Sequence, residues 1–139
     1  MAASKGISRE MSNVRDFAVA ISTVNLLKAA DQLDESALLG FATQRKYEEC
    51  VVSLAELSNS SVEIIRPLMQ SAREDGVLVV CKVAALRWET AAKVLECRYV
   101  FGSMSPQELA GAKQQFLKLS SNEAARLLNL WKLRSGASK

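Results

Sequence analysis

The chain has 139 residues and a formal net charge of +3, with 49% hydrophobic and 24% charged residues, as expected of one soluble globular domain with a sizeable core. It contains no histidine, which excludes the usual forms of serine-hydrolase triads, papain-like dyads and most zinc sites. Ala, Leu, Glu, Lys and Arg are plentiful and proline occurs only twice, a composition that favours helices.

Residues 1–12 are polar and small, and we predict a disordered lead-in there. One all-α domain is predicted over 13–135, followed by a frayed tail over 136–139. No secretory signal is visible, and the longest apolar run, 77–86, is too short to span a bilayer. We therefore expect a cytoplasmic protein that does not enter a membrane.

Apolar residues at steps of three and four predict an amphipathic helix over 14–30. Its predicted buried stripe consists of Val14, Phe17, Ala18, Ile21, Val24 and Leu27. Asp34 is predicted to cap a second helix, and a polar break at 43–46 precedes a third helix over 47–57. The third helix is expected to bury Tyr47, Cys50, Val51, Leu54 and Ala55.

Capping boxes predict the next helix starts. Ser60 with Glu63 is expected to begin a fourth helix over 62–70, and Ser71 with Glu74 forms a second box. Pro67 lies inside the fourth helix and should kink it or shorten it to two turns. The path of the chain around this proline is therefore left open.

Two stretches that lie 29 residues apart match each other, because 51–57 aligns with 80–86. A fixed period in this range indicates stacked helical units, which usually present binding surfaces. Taken alone, the β-branched run 77–86 also fits a buried strand. Since its counterpart 51–57 has helical periodicity, we predict a central helix that is buried on all sides.

The C-terminal third predicts three more helices. The first covers 88–101 and stops at Gly102. Ser105 with Glu108 forms the clearest capping box of the chain, and Ser120 with Glu123 repeats it for a last helix ending near residue 135. The predicted core side of this last helix consists of Ala124, Leu127, Leu128 and Trp131.

From about residue 26 onward the chain resembles an uncharacterised proteobacterial family, the domain of unknown function DUF2336. The segments that carry the resemblance are LDESALLGFA (33–42), LAELS (54–58), DGVLVVCK (75–82), LRWET (86–90) and LSSNEAARLLNLWKLR (119–134). The resemblance implies a HEAT-like helical array with no established activity, and Pro67 departs from the family's usual helix. Many relatives are longer, so the chain resembles one C-terminal module.

Together with the helix count and the short connections, this predicts an all-α fold: a right-handed array of seven to eight antiparallel helices, similar to HEAT and armadillo arrays.

The three cysteines, Cys50, Cys81 and Cys97, lie in apolar runs at helical spacing. We interpret them as core residues in a reducing compartment. A reactive thiol is the alternative, since Lys82 and Arg98 are next to two of them.

Adjacent acids at 34–35, 48–49 and 74–75 point about 100° apart on a helix, which favours solvated faces over a catalytic pair. Asp75 and Gly76 match no phosphate or metal motif. Trp88 and Trp131 lie at the edges of apolar stripes, so packing against the core is preferred to ligand stacking. We predict no catalytic, cofactor-binding or metal-binding residue.

The C-terminal end is basic, because 113–139 contains six basic residues and one acid. The candidate partner-binding residues are Lys113, Lys118, Arg126, Lys132 and Arg134. They do not form one tight stripe, since 126 and 134 lie roughly two turns apart while 132 points elsewhere.

From these features we expect a non-enzymatic adaptor or regulatory module that binds another protein through one face of the array. Binding to a second copy is a variant of this hypothesis, because a lone module leaves an apolar end uncovered. The less favoured alternative is nucleic-acid binding through the basic last two helices.

Overall fold

A computed structural model describes residues 17–99 and 104–137. The described residues form helices and turns, with no strand among them. Helix α1 covers residues 17–29 of this part. The other helices are α2 (Glu35–Thr43), α3 (Tyr47–Leu57), α4 (Val62–Gln70), α5 (Asp75–Val83), α6 (Trp88–Cys97), α7 (Pro106–Lys118) and α8 (Ser121–Ala137). The predicted all-α fold is confirmed, whereas the predicted lead-in 1–12 and the stop at Gly102 lie outside the described residues.

Helix α5 is the centre of the array. It contacts α4, α6, α7 and α8, while α2 packs on α3 and α6. Residues 77–81 of α5 are all buried, because neighbouring helices cover every side of it. This confirms a central helix in place of a strand. One cluster of buried side chains includes residues from all the described helices.

The internal repeat has a structural period of 26 residues, whereas the sequence alignment predicted 29. Helices α4 and α6 begin at Val62 and Trp88, 26 residues apart. The buried runs 51–55 and 77–81 have the same separation, as do the left-handed turn residues Asn59 and Ala85. A shift of three residues rotates a helix to within about 60° of a full turn. The 29-residue alignment therefore still matched one apolar face with the other.

The helix starts follow three of the five predicted caps. The Asp34 carboxylate accepts a hydrogen bond from the backbone N–H of Ala37 at 3.0 Å. The boxes of Ser105 with Glu108 and of Ser120 with Glu123 form as predicted. The two boxes predicted at 60–63 and 71–74 are wrong: α4 and α5 begin one and four residues after the predicted capping serines, at caps without a side-chain hydrogen bond.

Pro67 lies inside α4, which continues to Gln70. Proline cannot donate the hydrogen bond that would close its turn, so α4 has little capacity to stabilise its own C-terminus. The guanidinium of Arg98 compensates from α6. It donates to the carbonyl of Met69 at 3.2 Å and to that of Ser71.

Three details of the predicted helix faces and ends are corrected. In α1, Ala20 is buried with Phe17 and Val24, whereas Ala18 and Ile21 are exposed, because α3 and α4 cover a narrower sector than the sequence stripe implied. Leu127 of α8 is also exposed, since α8 touches the array only along Ala124, Leu128 and Trp131. Helix α6 ends at Cys97, four residues early, and α8 ends at Ala137, two residues late.

Candidate interaction surface

The predicted basic residues lie on the last two helices. Lys113 and Lys118 are exposed on α7, Arg126 and Arg134 are exposed on α8, and Lys132 is half-buried. Among the described residues, no acid forms an ion pair with any of the five. Their charges are therefore unsatisfied within the described part of the chain.

Helix α8 has one buried face and a broad exposed one. Ala124 and Leu128 are buried against the array, which contacts α8 through α5 and α4. At about 100° per residue, Arg126, Leu130 and Leu133 lie on the opposite side of the helix. Leu130 is 48% exposed and Leu133 is 69% exposed. We call the exposed residues Arg126, Leu127, Leu130, Leu133 and Arg134 the α8 ridge.

The structure does not join all five cations into one patch. Arg126 and Arg134 both belong to the ridge, but Lys132 lies about 120° from Arg126 around the helix. Helix α7 carries Lys113 and Lys118 on different sides, and it packs on α5 and α6. Sequence reasoning found the arginines but missed the leucines between them, because Leu127 was assigned to the core.

A small apolar cleft opens beside the ridge. Trp131 of α8 lines it together with Ile64, Pro67 and Leu68 of α4, and Glu63 is its only charged residue. The cleft has a volume of ≈ 240 Å³. Trp131 is also packed partly against the core, as predicted, so one indole face is fixed while its edge lines an open cleft.

Trp88 shows the core packing that was predicted for both tryptophans. Its ring centroid lies 5.8 Å from that of Phe116, and the ammonium of Lys82 lies 4.0 Å from the Phe116 centroid. This group therefore ties α5, α6 and α7 together and provides no stacking surface.

A larger groove of ≈ 550 Å³ separates α1 from α3 and α4. Its walls mix apolar side chains such as Ile21 and Val62 with polar ones such as Asn25 and Glu63. The Arg66 guanidinium lies 4.9 Å from the Phe17 ring centroid, and the Glu56 carboxylate is paired with Lys28 at 2.8 Å. Its charged groups thus serve mainly to hold α1 against α3 and α4.

The three cysteines are buried and free, which confirms the prediction that they are core residues. A hydrogen bond with Cys97, followed by burial, raises the pKa of the Cys50 thiol well above its ordinary value. Burial and, to a smaller extent, Glu35 raise the pKa of Cys81 to about 12. Thiols in this state are weak nucleophiles.

Glu35 has a role that the sequence did not reveal. Its carboxylate accepts hydrogen bonds from the Thr90 hydroxyl at 2.6 Å and from the Arg87 backbone N–H at 2.9 Å. Partial burial opposes its ionisation, but these hydrogen bonds and the Arg87 charge outweigh it and lower the pKa of Glu35. An acid of α2 thus caps the N-terminus of α6. The predicted solvated face does not apply to this residue, and a contact between distant helices leaves no local motif.

Within the described residues, no three or more side chains of the metal-ligating types converge on one point. Among those same residues, no helix has the length and apolar content needed to cross a membrane.

The family model of DUF2336, described as an uncharacterised protein conserved in bacteria, matches residues 1–129. The match begins earlier than the resemblance noted from the sequence and ends within α8, so 130–134 lie beyond it. No curated protein matches the chain, and no solved structure does.

Proposed function

Because the chain belongs to the DUF2336 family of bacterial proteins, which is described only as uncharacterised, its function must be argued from its own surface, and we propose that it is a non-enzymatic interaction module. It would act in the cytoplasm and bind a protein partner through the exposed side of α8. Three free, buried cysteines support a reducing compartment.

One observation carries the proposal: the α8 ridge exposes three leucines between two arginines that have no described ion-pair partner. Leucines on the outer side of a surface helix gain nothing in the isolated fold. Contiguous apolar patches bordered by polar groups are typical of protein-interaction sites, and arginine is enriched in such sites.

Affinity purification from the native host with the full chain as bait tests this proposal. The double variant Arg126→Glu/Arg134→Glu is expected to keep its helical circular dichroism and its thermal midpoint, since both side chains are exposed, but to lose the partner. Lys113→Glu/Lys118→Glu on α7 is a control with the same change of charge. Retention of every partner by the α8 variant would contradict the proposal, and equal loss in both variants would point to net charge alone.

Nucleic-acid binding is the second candidate, and the basic C-terminal end favours it. Binding to phosphates would weaken steeply as salt rises, because bound counterions are released. A filter-binding assay with duplex DNA and with RNA at low salt measures this directly. The alternative is excluded if no binding occurs under those conditions.

A further inference from the structure

The cleft beside the α8 ridge has the size of an anchor pocket. Sites for small-molecule ligands usually have volumes of about 300–1,000 Å³, whereas this cleft holds ≈ 240 Å³. Trp131, Ile64, Pro67 and Leu68 give it an apolar lining. It therefore suits one apolar side chain of a partner, the kind of pocket in which a few residues contribute most of the binding energy.

The cleft and the ridge form one surface. Leu127, Trp131 and Arg134 follow each other at steps of four and three residues, so they line one side of α8. Leu127 is 38% exposed, and Leu130 is the next exposed leucine around the helix. A partner whose anchor enters the cleft would therefore also cover apolar surface and an arginine.

The charge on this surface selects an acidic partner. From Ala124 to Arg134 the helix contains three basic residues and no acid, and none of the three has an ion-pair partner among the described residues. Glu63 is the one acid of the cleft lining, so the partner's acids are expected to face α8 and not α4.

The described fold favours a helix as the docking element. Its regular elements are all helices, so no described sheet edge is available to take up an extended strand. An amphipathic helix binds by inserting apolar residues, spaced at three and four positions, into a groove between helices. The groove between α4 and α8 has this form.

Resting on the proposed function, we propose that the Trp131 cleft and the α8 ridge bind an acidic amphipathic helix of another protein, which inserts one apolar side chain between α4 and α8. Two copies of the chain paired symmetrically through this surface would bring Arg126 and Arg134 of one copy against those of the other. Nucleic acid would leave Leu127 and Leu130 without an apolar contact.

The test uses the full chain as bait for random 16-residue peptides displayed on phage, followed by anisotropy measurements with the selected peptides in labelled form. We expect enrichment of peptides with Glu or Asp and with Leu, Ile or Phe at helical spacing. Binding should weaken on the order of tenfold in Leu130→Ala and in Arg134→Glu, both at exposed positions. Leu26→Ala, an exposed leucine on α1, is the matched control and should bind normally.

Trp131 provides a second readout in a Trp88→Phe background, where a bound helix should shift its emission to shorter wavelength. The inference is overturned if no peptides are enriched, if the selected peptides are basic or lack the apolar spacing, or if Leu26→Ala weakens binding as much as Leu130→Ala. If the native partner still depends on Arg126 and Arg134 while the selected peptides are not acidic helices, the proposed function stands and this inference fails.

Discussion

The carboxylate of Glu35 in α2 accepts a hydrogen bond from the hydroxyl of Thr90 in α6 at 2.6 Å. The two residues are 55 positions apart, and the bond joins the entrance of one helix to the first turn of another. Since α2 also packs along α6, this contact fixes the N-terminal half of the array to its centre. It is a structural link far from the α8 ridge.

Replacing Glu35 with Gln is expected to destabilise the fold by about 1–2 kcal/mol, the usual effect of losing a helix cap. The pKa of Glu35 is lowered in the folded state, so its contribution is present above the unfolded value and is lost as the pH falls through the folded pKa. Stability should therefore decline below about pH 4.5, and less so in the variant. Urea unfolding from pH 7 to pH 3 measures both effects. Glu74→Gln is the control, because the Glu74 side chain caps no helix; equal slopes for all three proteins would contradict the assignment.

Gly76 lies against Leu68, and a methyl group added there would come within 2.5 Å of the Leu68 Cδ2 atom. Gly76→Ala should therefore destabilise the fold by about 1 kcal/mol, although alanine is the better helix former. Because Leu68 shares the cleft with Trp131, the emission of Trp131 should shift as well. In a Leu68→Ala background the same substitution should be neutral or stabilising.

Gly111→Ala in α7 is the matched control for this prediction, since nothing lies within 4 Å of the added methyl group. It should stabilise the fold by about 0.5–1 kcal/mol. Equal stabilisation by Gly76→Ala and Gly111→Ala in denaturant titrations would show that Leu68 does not restrict this position.

Ser53 is fully buried, and its hydroxyl has no hydrogen-bond partner among the described residues. Ser53→Ala removes a desolvated polar group and should be neutral or stabilise the fold by up to about 1 kcal/mol. Ser58 is the natural comparison, because its buried hydroxyl donates to the Leu54 carbonyl at 2.7 Å. Ser58→Ala should destabilise by about 1 kcal/mol. Chemical denaturation of the two variants distinguishes them, and a loss of stability in Ser53→Ala as large as in Ser58→Ala would be inconsistent with an unsatisfied hydroxyl.

The buried thiols should not react in the folded protein. We expect no labelling of Cys50, Cys81 or Cys97 by a disulfide reagent at pH 8, and three thiols labelled in denaturant. A cysteine introduced at exposed position 110 is the positive control. Rapid labelling of any native cysteine in the folded protein would contradict the burial.

Stability should also fall at alkaline pH. The pKa of Cys81 rises from 9.0 to about 12 on folding, so above pH 9.0 the unfolded chain loses a proton that the folded chain keeps. This thiol alone should lower the free energy of unfolding by about 1.4 kcal/mol per pH unit in that range. Cys81→Ala should show a shallower decline in urea titrations between pH 9 and pH 11, and an unchanged slope would refute the assignment.

Local sequence signals predicted the elements well where the determining contacts are local. Asp34, Ser105 and Ser120 start their helices because each hydroxyl or carboxylate reaches an N–H three residues away. The boxes at 60–63 and 71–74 have the same residue types but do not form. At 71–74, Ser71 instead accepts a hydrogen bond from the Arg73 N–H at 3.1 Å while its carbonyl accepts one from Arg98.

The candidate surface was predicted only in part for a similar reason. The cations of α8 are visible in the sequence, but the exposure of Leu127, Leu130 and Leu133 depends on how far α4 and α5 extend over α8. The cleft needs Pro67 and Leu68 of α4 beside Trp131, more than sixty residues away. No periodicity within α8 contains that information.

The sequence by itself determined the helical content, the burial of α5 and the cysteines, and the basic end, because side-chain volume, polarity and short-range hydrogen bonding decide them. Only the tertiary structure decided the 26-residue register of the repeat, the capping of α6 by Glu35, and the leucines and cleft that accompany the arginines. These depend on which helices meet, since a helix looks nearly the same after a shift of about one turn until its neighbour fixes the register.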